Sequence, residues 1–213
     1  MRNISPSILS ANFQDIFNHI RLFEKLGITR LHLDVMDGNF VPNLTFGPIV
    51  IKSIREHTNL HLESHLMITN PHNYIKDYAV AGSDTIIIHQ EASKDIIDDL
   101  KKIQDYGKLS GIALNPDTSE EKLDSIIQYL DYILIMSVYP GFGGQKFIND
   151  TLIKMNKIVK LVKNQNILVS VDGGVGLDTI SNIYKTGIDI TVVGSALLNS
   201  NNIKENYKNL LNV

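Results

Sequence analysis

Short runs rich in Ile, Val and Leu alternate with helix-length segments along the whole chain. Eight runs read as strands: residues 4–9, 30–36, 60–67, 85–89, 109–114, 132–138, 167–171 and 190–193. They are short and almost continuously apolar, as parallel strands covered on both faces are. The segments between them space apolar residues three and four apart, as a helix with one buried face does. Ile16, Ile20 and Phe23 do this in the first segment; Leu123, Ile126, Ile127 and Leu130 do it in the fifth. Asn12 is placed to cap the first helix, Pro71 to occupy the first turn of the third, and Ser119 with Glu120 and Glu121 to open the fifth. Gly27, Gly82, Gly107 and Gly187 each follow a helical run and precede a strand, where a left-handed residue ends a helix.

Eight such units predict an α/β fold: a single (β/α)8 TIM barrel over residues 1–213, with no linker or domain boundary. The length lies at the short end of the roughly 200–400 residues usual for such barrels. A doubly wound open sheet is the rival, but it wants a glycine-rich turn after its first strand, and residues 7–12 contain no G-x-G-x-x-G. The chain has no cysteine, which excludes disulfides, thiolate metal sites and a thiol nucleophile. Any metal must therefore be held by His, Asp or Glu. A formal net charge of −3 argues against a nucleic-acid partner while leaving room for one small anion. Apolar runs of only a few residues predict no membrane span, and MRNISPSIL has no signal-peptide core, so a cytoplasmic location is expected.

Barrel chemistry sits where strands end. The polar residues there are Ser5, Ser7 and Ser10, then His32 and Asp34, His65, His89 and Glu91, Ser137, Ser170 and Asp172, and Ser195 after Gly194. His89 reads as a hydrogen-bonded core residue. His32, Asp34, His65 and Asp172 make a two-nitrogen, two-oxygen set suited to zinc, iron(II), manganese or cobalt. The alternative for His32 with Asp34 is a buried ion pair, and the residues alone leave both readings open. Three glycine-bearing stretches, at 139–145, 172–174 and 194–195, can bring backbone N–H groups close to a phosphate. Met36, Met67 and Met136 either fill the core or line an apolar pocket. The long stretch 37–48 is either a lid or an ordered connection packed by Phe40 and Phe46.

The strings PSILSA, HLDVMDGNFVPNLTFGP, HLMI, SVYPGFGGQKF, VSVDGG and VGSAL resemble the signature segments of the ribulose-phosphate 3-epimerase family, in order, from Pro6 to about Leu198. The resemblance implies a (β/α)8 isomerase that interconverts D-ribulose 5-phosphate and D-xylulose 5-phosphate in the pentose phosphate pathway. It implies that His32, Asp34, His65 and Asp172 hold one divalent cation, with Asp34 the proton acceptor and Asp172 the proton donor. It makes Ser7, His65 and Asp172 substrate contacts. Gly141, Phe142, Gly143, Gly144, Gly173, Gly174, Gly194 and Ser195 match the sugar-phosphate contacts. Homo-oligomeric assembly is also implied. Tyr139 stands where the family usually has Asn, Glu63 and Ser64 replace an Asp and a small apolar residue, and Asn149 stands where Pro is common.

Epimerisation beside a ketone removes a proton from one face and returns one to the other, so it wants two acid/base groups in opposite states. A divalent ion can stabilise the ene-diolate between the two transfers. No nucleotide or redox cofactor is needed. A D-allulose 6-phosphate epimerase is the alternative; the GFGGQ and GSAL strings favour the pentulose. An orotidine-type decarboxylase would carry D-x-K-x-x-D, whereas Asp34-Val-Met-Asp-Gly-Asn has no lysine. A Schiff-base aldolase would want a strand lysine, and the expected strands have none. A non-enzymatic phosphate-binding barrel would have no use for the two candidate bases.

Overall fold

The computed structural model describes residues 3–199 and 202–213. Its strands are β1 (Asn3–Pro6), β2 (Arg30–Met36), β3 (His61–Met67), β4 (Thr85–His89), β5 (Leu109–Leu114), β6 (Tyr132–Met136), β7 (Leu168–Asp172) and β8 (Ile190–Val193). They form one parallel sheet in which each strand pairs with the next in sequence from β2 to β8, and β8 pairs with β1. The seam between β1 and β2 is closed by an isolated bridge between Ser7 and His32. Around this nearly closed barrel lie α1 (Ile16–Lys25), α2 (Pro48–Arg55), α3 (Ile75–Ala81), α4 (Ile96–Asp105), α5 (Thr151–Leu161), α6 (Ile180–Lys185), α7 (Ser195–Leu198) and α8 (Ile203–Leu211). No described helix is long and apolar enough to cross a membrane.

The two-residue period of a strand divides the core in two. Leu31, Leu33 and Val35 of β2 face outward and pack with Ile20 and Phe23 of α1 and Ile51 and Ile54 of α2. Burying each such side chain contributes about 1.5–3 kcal/mol. Inside the barrel, Ile87, Ala113, Tyr132, Leu134, Met136, Ile190 and Val192 form a second cluster. Gly111 of β5 makes room there: a Cβ on it would lie 2.8 Å from Ile87 Cγ1.

The expected stops are in place, with φ of 77°, 106°, 68° and 86° at Gly27, Gly82, Gly107 and Gly187. Asn12 accepts from the Gln14 N–H at 3.1 Å, opening a short 3-10 turn (Phe13–Asp15) that runs into α1. Pro71 heads a 3-10 turn (Pro71–Asn73) just before α3 rather than the first turn of α3 itself.

β3, β6 and β7 depart from the expected bounds by one or two residues, and two expectations need larger correction. The first strand ends at Pro6, not Leu9, because Ser7 Oγ accepts from the Leu9 N–H at 3.2 Å and turns Ile8–Ser10 into a 3-10 turn. The fifth helical segment expected, between β5 and β6, is not an α-helix. Ser119 does cap, accepting from the Glu121 N–H at 3.2 Å, but two 3-10 turns follow, Glu120–Leu123 and Ile127–Tyr129. Leu123 and Ile126, like Ile127 and Leu130, are three apart, and a 3-10 turn stacks residues at that spacing. Leu123, Ile126 and Leu130 are thereby buried without an α-helix.

Candidate active site

The inward face of β2 carries His32, Asp34 and Met36, and that of β3 carries Glu63, His65 and Met67; the register sets Asp34 opposite His65 and His32 opposite Glu63. His32 Nε2 lies 3.3 Å from His65 Nδ1 and 3.4 Å from Asp34 Oδ1. His65 Nδ1 lies 3.2 Å from Asp34 Oδ1. From the end of β7, Asp172 Oδ2 approaches to 4.0 Å from His32 Nε2 and 3.9 Å from His65 Nδ1. The four residues nominated as ligands thus offer two nitrogens and two oxygens, all within 4.8 Å of one another. This donor set fits a borderline divalent cation. Asp34 divides its oxygens: Oδ1 faces the two rings, and Oδ2 accepts from Ser7 Oγ at 2.5 Å.

The outward nitrogens of both rings meet polar groups. His32 Nδ1 faces Glu63 Oε2 at 3.5 Å, and Glu63 also accepts from Arg30 Nη1 at 2.7 Å and Ser5 Oγ at 2.8 Å. His65 Nε2 faces His89 Nε2 at 2.8 Å, and His89 Nδ1 faces Glu91 Oε2 at 3.1 Å. His89 is a buried, hydrogen-bonded residue as expected, but its partner is a member of the cluster. Neither Glu63 nor Glu91 is among the expected ligands, bases or substrate contacts. Their signal is the same two-residue spacing that marks His32 with Asp34: Glu63 with His65, and His89 with Glu91.

Burial opposes charge on every member; neighbours outweigh it at His32, Asp34 and Glu63 but not at His65 or Asp172. Burial would raise Asp34, but the two imidazoles hold its carboxyl far below the usual range. Burial and the nearby charge of Asp34 push Asp172 up to about 7. Burial disfavours a charged His32, yet Asp34, Glu63 and Asp172 raise it well above the ordinary value. Burial presses His65 down to about 3, with only part of that offset by Asp34. Glu63 is kept low, against its burial, by His32 and Arg30. Near neutrality Asp34 is therefore ionised, while Asp172 is still able to hold a proton.

Above this cluster lies a pocket lined by Ser7, Asp34 and Asp172, by Met36, Met67 and Met136, and by the glycine stretches Gly141, Phe142, Gly143 and Gly144, Gly173 and Gly174, and Gly194 with Ser195. The methionines thus line a pocket instead of only filling the core. His32 and His65 are fully buried beneath it. Cβ atoms on Gly143 and Gly194 would lie 3.3 and 3.1 Å from Ser10 Oγ, so the loops after β6 and β8 converge on that serine. Gly174, at φ 61°, has no room for a side chain, because its Cβ would lie 2.5 Å from the Phe147 nitrogen. Gln145 Nε2 braces the loop after β6 by donating to the carbonyls of Tyr139 at 2.7 Å and Phe142 at 2.9 Å. The Tyr139 ring is exposed. That loop is thus held by backbone carbonyls, including Tyr139's own, whichever side chain Tyr139 carries.

The stretch 37–48 is an ordered connection. Asp37 accepts from the N–H groups of Asn39, Phe40 and Thr69, each at 2.8 Å. Phe40 packs on Met36, Val41 and Met67. Asn43 Nδ2 donates to the Gly141 carbonyl at 2.7 Å, joining this connection to the loop after β6.

Residues 3–198 match a family model described as the ribulose-phosphate 3 epimerase family. The ribulose-phosphate 3-epimerase of Bacillus subtilis is 38% identical over 208 residues, covering 96% of this chain and 96% of that protein. That of Synechocystis sp. is 39% identical over 206 residues, covering 95% and 90%. Among solved structures, KGPDC from Streptococcus mutans superposes with a TM-score of 0.72 at 14% identity, covering 99% of this chain and 96% of that one. A mutant tryptophan synthase alpha-subunit from Pyrococcus furiosus gives a TM-score of 0.74 at 14% identity, covering 100% and 98%. These two share the barrel fold.

Proposed function

The chain belongs to the ribulose-phosphate 3-epimerase family, an isomerase family, and from that premise we propose that it interconverts D-ribulose 5-phosphate and D-xylulose 5-phosphate by two-base proton transfer at carbon 3. The observation that carries the proposal is the pairing of an ionised Asp34 with an Asp172 still able to hold a proton near neutrality, both lining one pocket.

The phosphate is seated on the N–H groups of the stretches around Gly141–Gly144, Gly173–Gly174 and Gly194–Ser195. Binding energy won there, remote from the reacting carbon, positions it between the carboxyls. Asp34 Oδ2, held by the Ser7 hydroxyl, removes the carbon-3 proton from one face. Asp172, whose Oδ2 points toward the histidines, delivers a proton to the other face. The cycle leaves Asp34 protonated and Asp172 ionised, the state needed for the reverse reaction. His32 Nε2, Asp34, His65 Nδ1 and Asp172 would hold a divalent cation, which supplies the positive charge that stabilises an ene-diolate. Met36, Met67 and Met136 border the reacting carbon with apolar surface and limit water there. The pentose phosphate pathway is the metabolic setting this activity implies.

The test is a substrate panel on protein of defined metal content, comparing the phosphates of ribulose, xylulose and allulose. The highest kcat/KM is expected for the two pentuloses. A higher value for D-allulose 6-phosphate would overturn the assignment, as would full turnover by demonstrably metal-free protein for the cation.

A further inference from the structure

We propose that Glu91 and His89 form a positioning relay that fixes which nitrogen of His65 carries hydrogen, so that Nδ1 faces the four-residue cluster bare; this rests on reading that cluster as a cation site. Neither residue lines the pocket, so both act through His65.

Two ring nitrogens 2.8 Å apart share a single hydrogen, and one ring must donate while the other accepts. Glu91 decides which. Its Oε1 accepts from the Asn115 N–H at 2.9 Å and from the Thr118 hydroxyl, and its Oε2 faces His89 Nδ1 at 3.1 Å. Although burial opposes it, these contacts hold the Glu91 carboxyl down to about 2. A carboxylate only accepts, so the hydrogen of His89 sits on Nδ1 and its Nε2 is bare. The shared hydrogen then belongs to His65 Nε2. His65 Nδ1 is left as a lone pair among His32 Nε2 and Asp34 Oδ1, at 3.3 and 3.2 Å. His65 and His89 are fully buried, and the Phe40 ring covers His89 at 4.9 Å between centroids, so water does not stand in for a missing link.

Outer partners that orient ligating histidines are worth about 10–100-fold in metal affinity. Zinc is titrated into metal-free protein against a chromophoric chelator, alongside 15N signals of the His65 ring and thermal melting. His89→Phe, which offers no acceptor, is expected to bind zinc about 10–100-fold more weakly and to show mixed His65 tautomers. His89→Gln offers one acceptor and one donor and is expected to restore both readouts toward those of the intact chain. Unchanged zinc affinity in a folded His89→Phe would overturn the relay, as would failure of His89→Gln to recover either readout. Should His89→Phe not fold, Glu91→Gln serves in its place: its amide can donate to His89 Nδ1, so weakened binding with mixed tautomers supports the relay and unchanged values overturn it. If the intact chain binds no zinc, the cation reading fails, and the His65 signals judge the relay alone: bare Nδ1 upholds it and protonated Nδ1 overturns it.

Discussion

Asn43 and Gly141 lie 98 positions apart, yet the side-chain amide of the first donates to the carbonyl of the second at 2.7 Å. This bond makes the connection beside Asp34 and the glycine-rich loop after β6 one mechanical unit. Asn43→Ala removes the donor without touching a proposed ligand. The loss of one such bond, about 1 kcal/mol, is expected to raise KM for ribulose 5-phosphate about fivefold, with a smaller change in kcat. Steady-state kinetics checks this, and an unchanged KM would mean the two loops are independent.

Gly174 and Gly27 both take positive φ, at 61° and 77°, but only Gly174 lines the pocket. Alanine at either is expected to cost stability, about 1 kcal/mol at Gly27 and more at Gly174, where the Cβ meets backbone. Gly174→Ala alone should raise KM. Melting and kinetics on both variants separate strain from phosphate binding; equal KM values would remove this loop from the site.

The pH dependence of cation affinity has a definite sign. Asp172 is raised to about 7, so below that value a proton occupies a proposed ligand and must leave on binding. His32, also raised, holds a competing proton over the same range. Affinity is therefore expected to fall as pH falls from 8 to 6, by about tenfold in all for the Asp172 proton and further for the proton on His32. Chelator competition at several pH values measures it, and a flat profile would contradict the assignment of Asp172 as a ligand.

On the proposed two-base scheme, Asp172→Asn cannot deliver a proton to the far face. The variant is expected to stop epimerisation while still exchanging the carbon-3 hydrogen of ribulose 5-phosphate in heavy water through Asp34, leaving xylulose 5-phosphate inert. Asp34→Asn should show the mirror pattern. Metal content is measured on the same samples, since both residues are proposed ligands. Near-normal epimerisation by metal-loaded Asp172→Asn would sink the two-base scheme.

The barrel is legible in the sequence because buried parallel strands leave little but Ile, Val and Leu; β2, β4, β5 and β8 begin and end at the expected residues. The same apolar background exposes His32, Asp34 and His65, since a polar residue inside such a strand stands out. Where side chains capture backbone groups, the pattern misleads. Ser7 cuts the first strand short by hydrogen bonding to Leu9, and an i, i+3 spacing around Leu123 serves 3-10 turns as well as it would an α-helix. The partnership of Glu91, His89 and His65 is less legible still. Its content is the direction of two hydrogen bonds, which follows from distances between strands.

The bridge between Ser7 and His32 has a temporal consequence. β1 is made first, but its ladder pairs Asn3 with Ile190 and Pro6 with Val193. A growing chain therefore carries His32, Asp34 and His65 well before it can lock its first strand in place. Until Val193 is made, Ser7 lacks the carbonyl to which its N–H donates at 3.0 Å. Long-range closure of this kind comes late in folding. Closure of the wall and full anchoring of Ser7 against Asp34 are in that sense a single event.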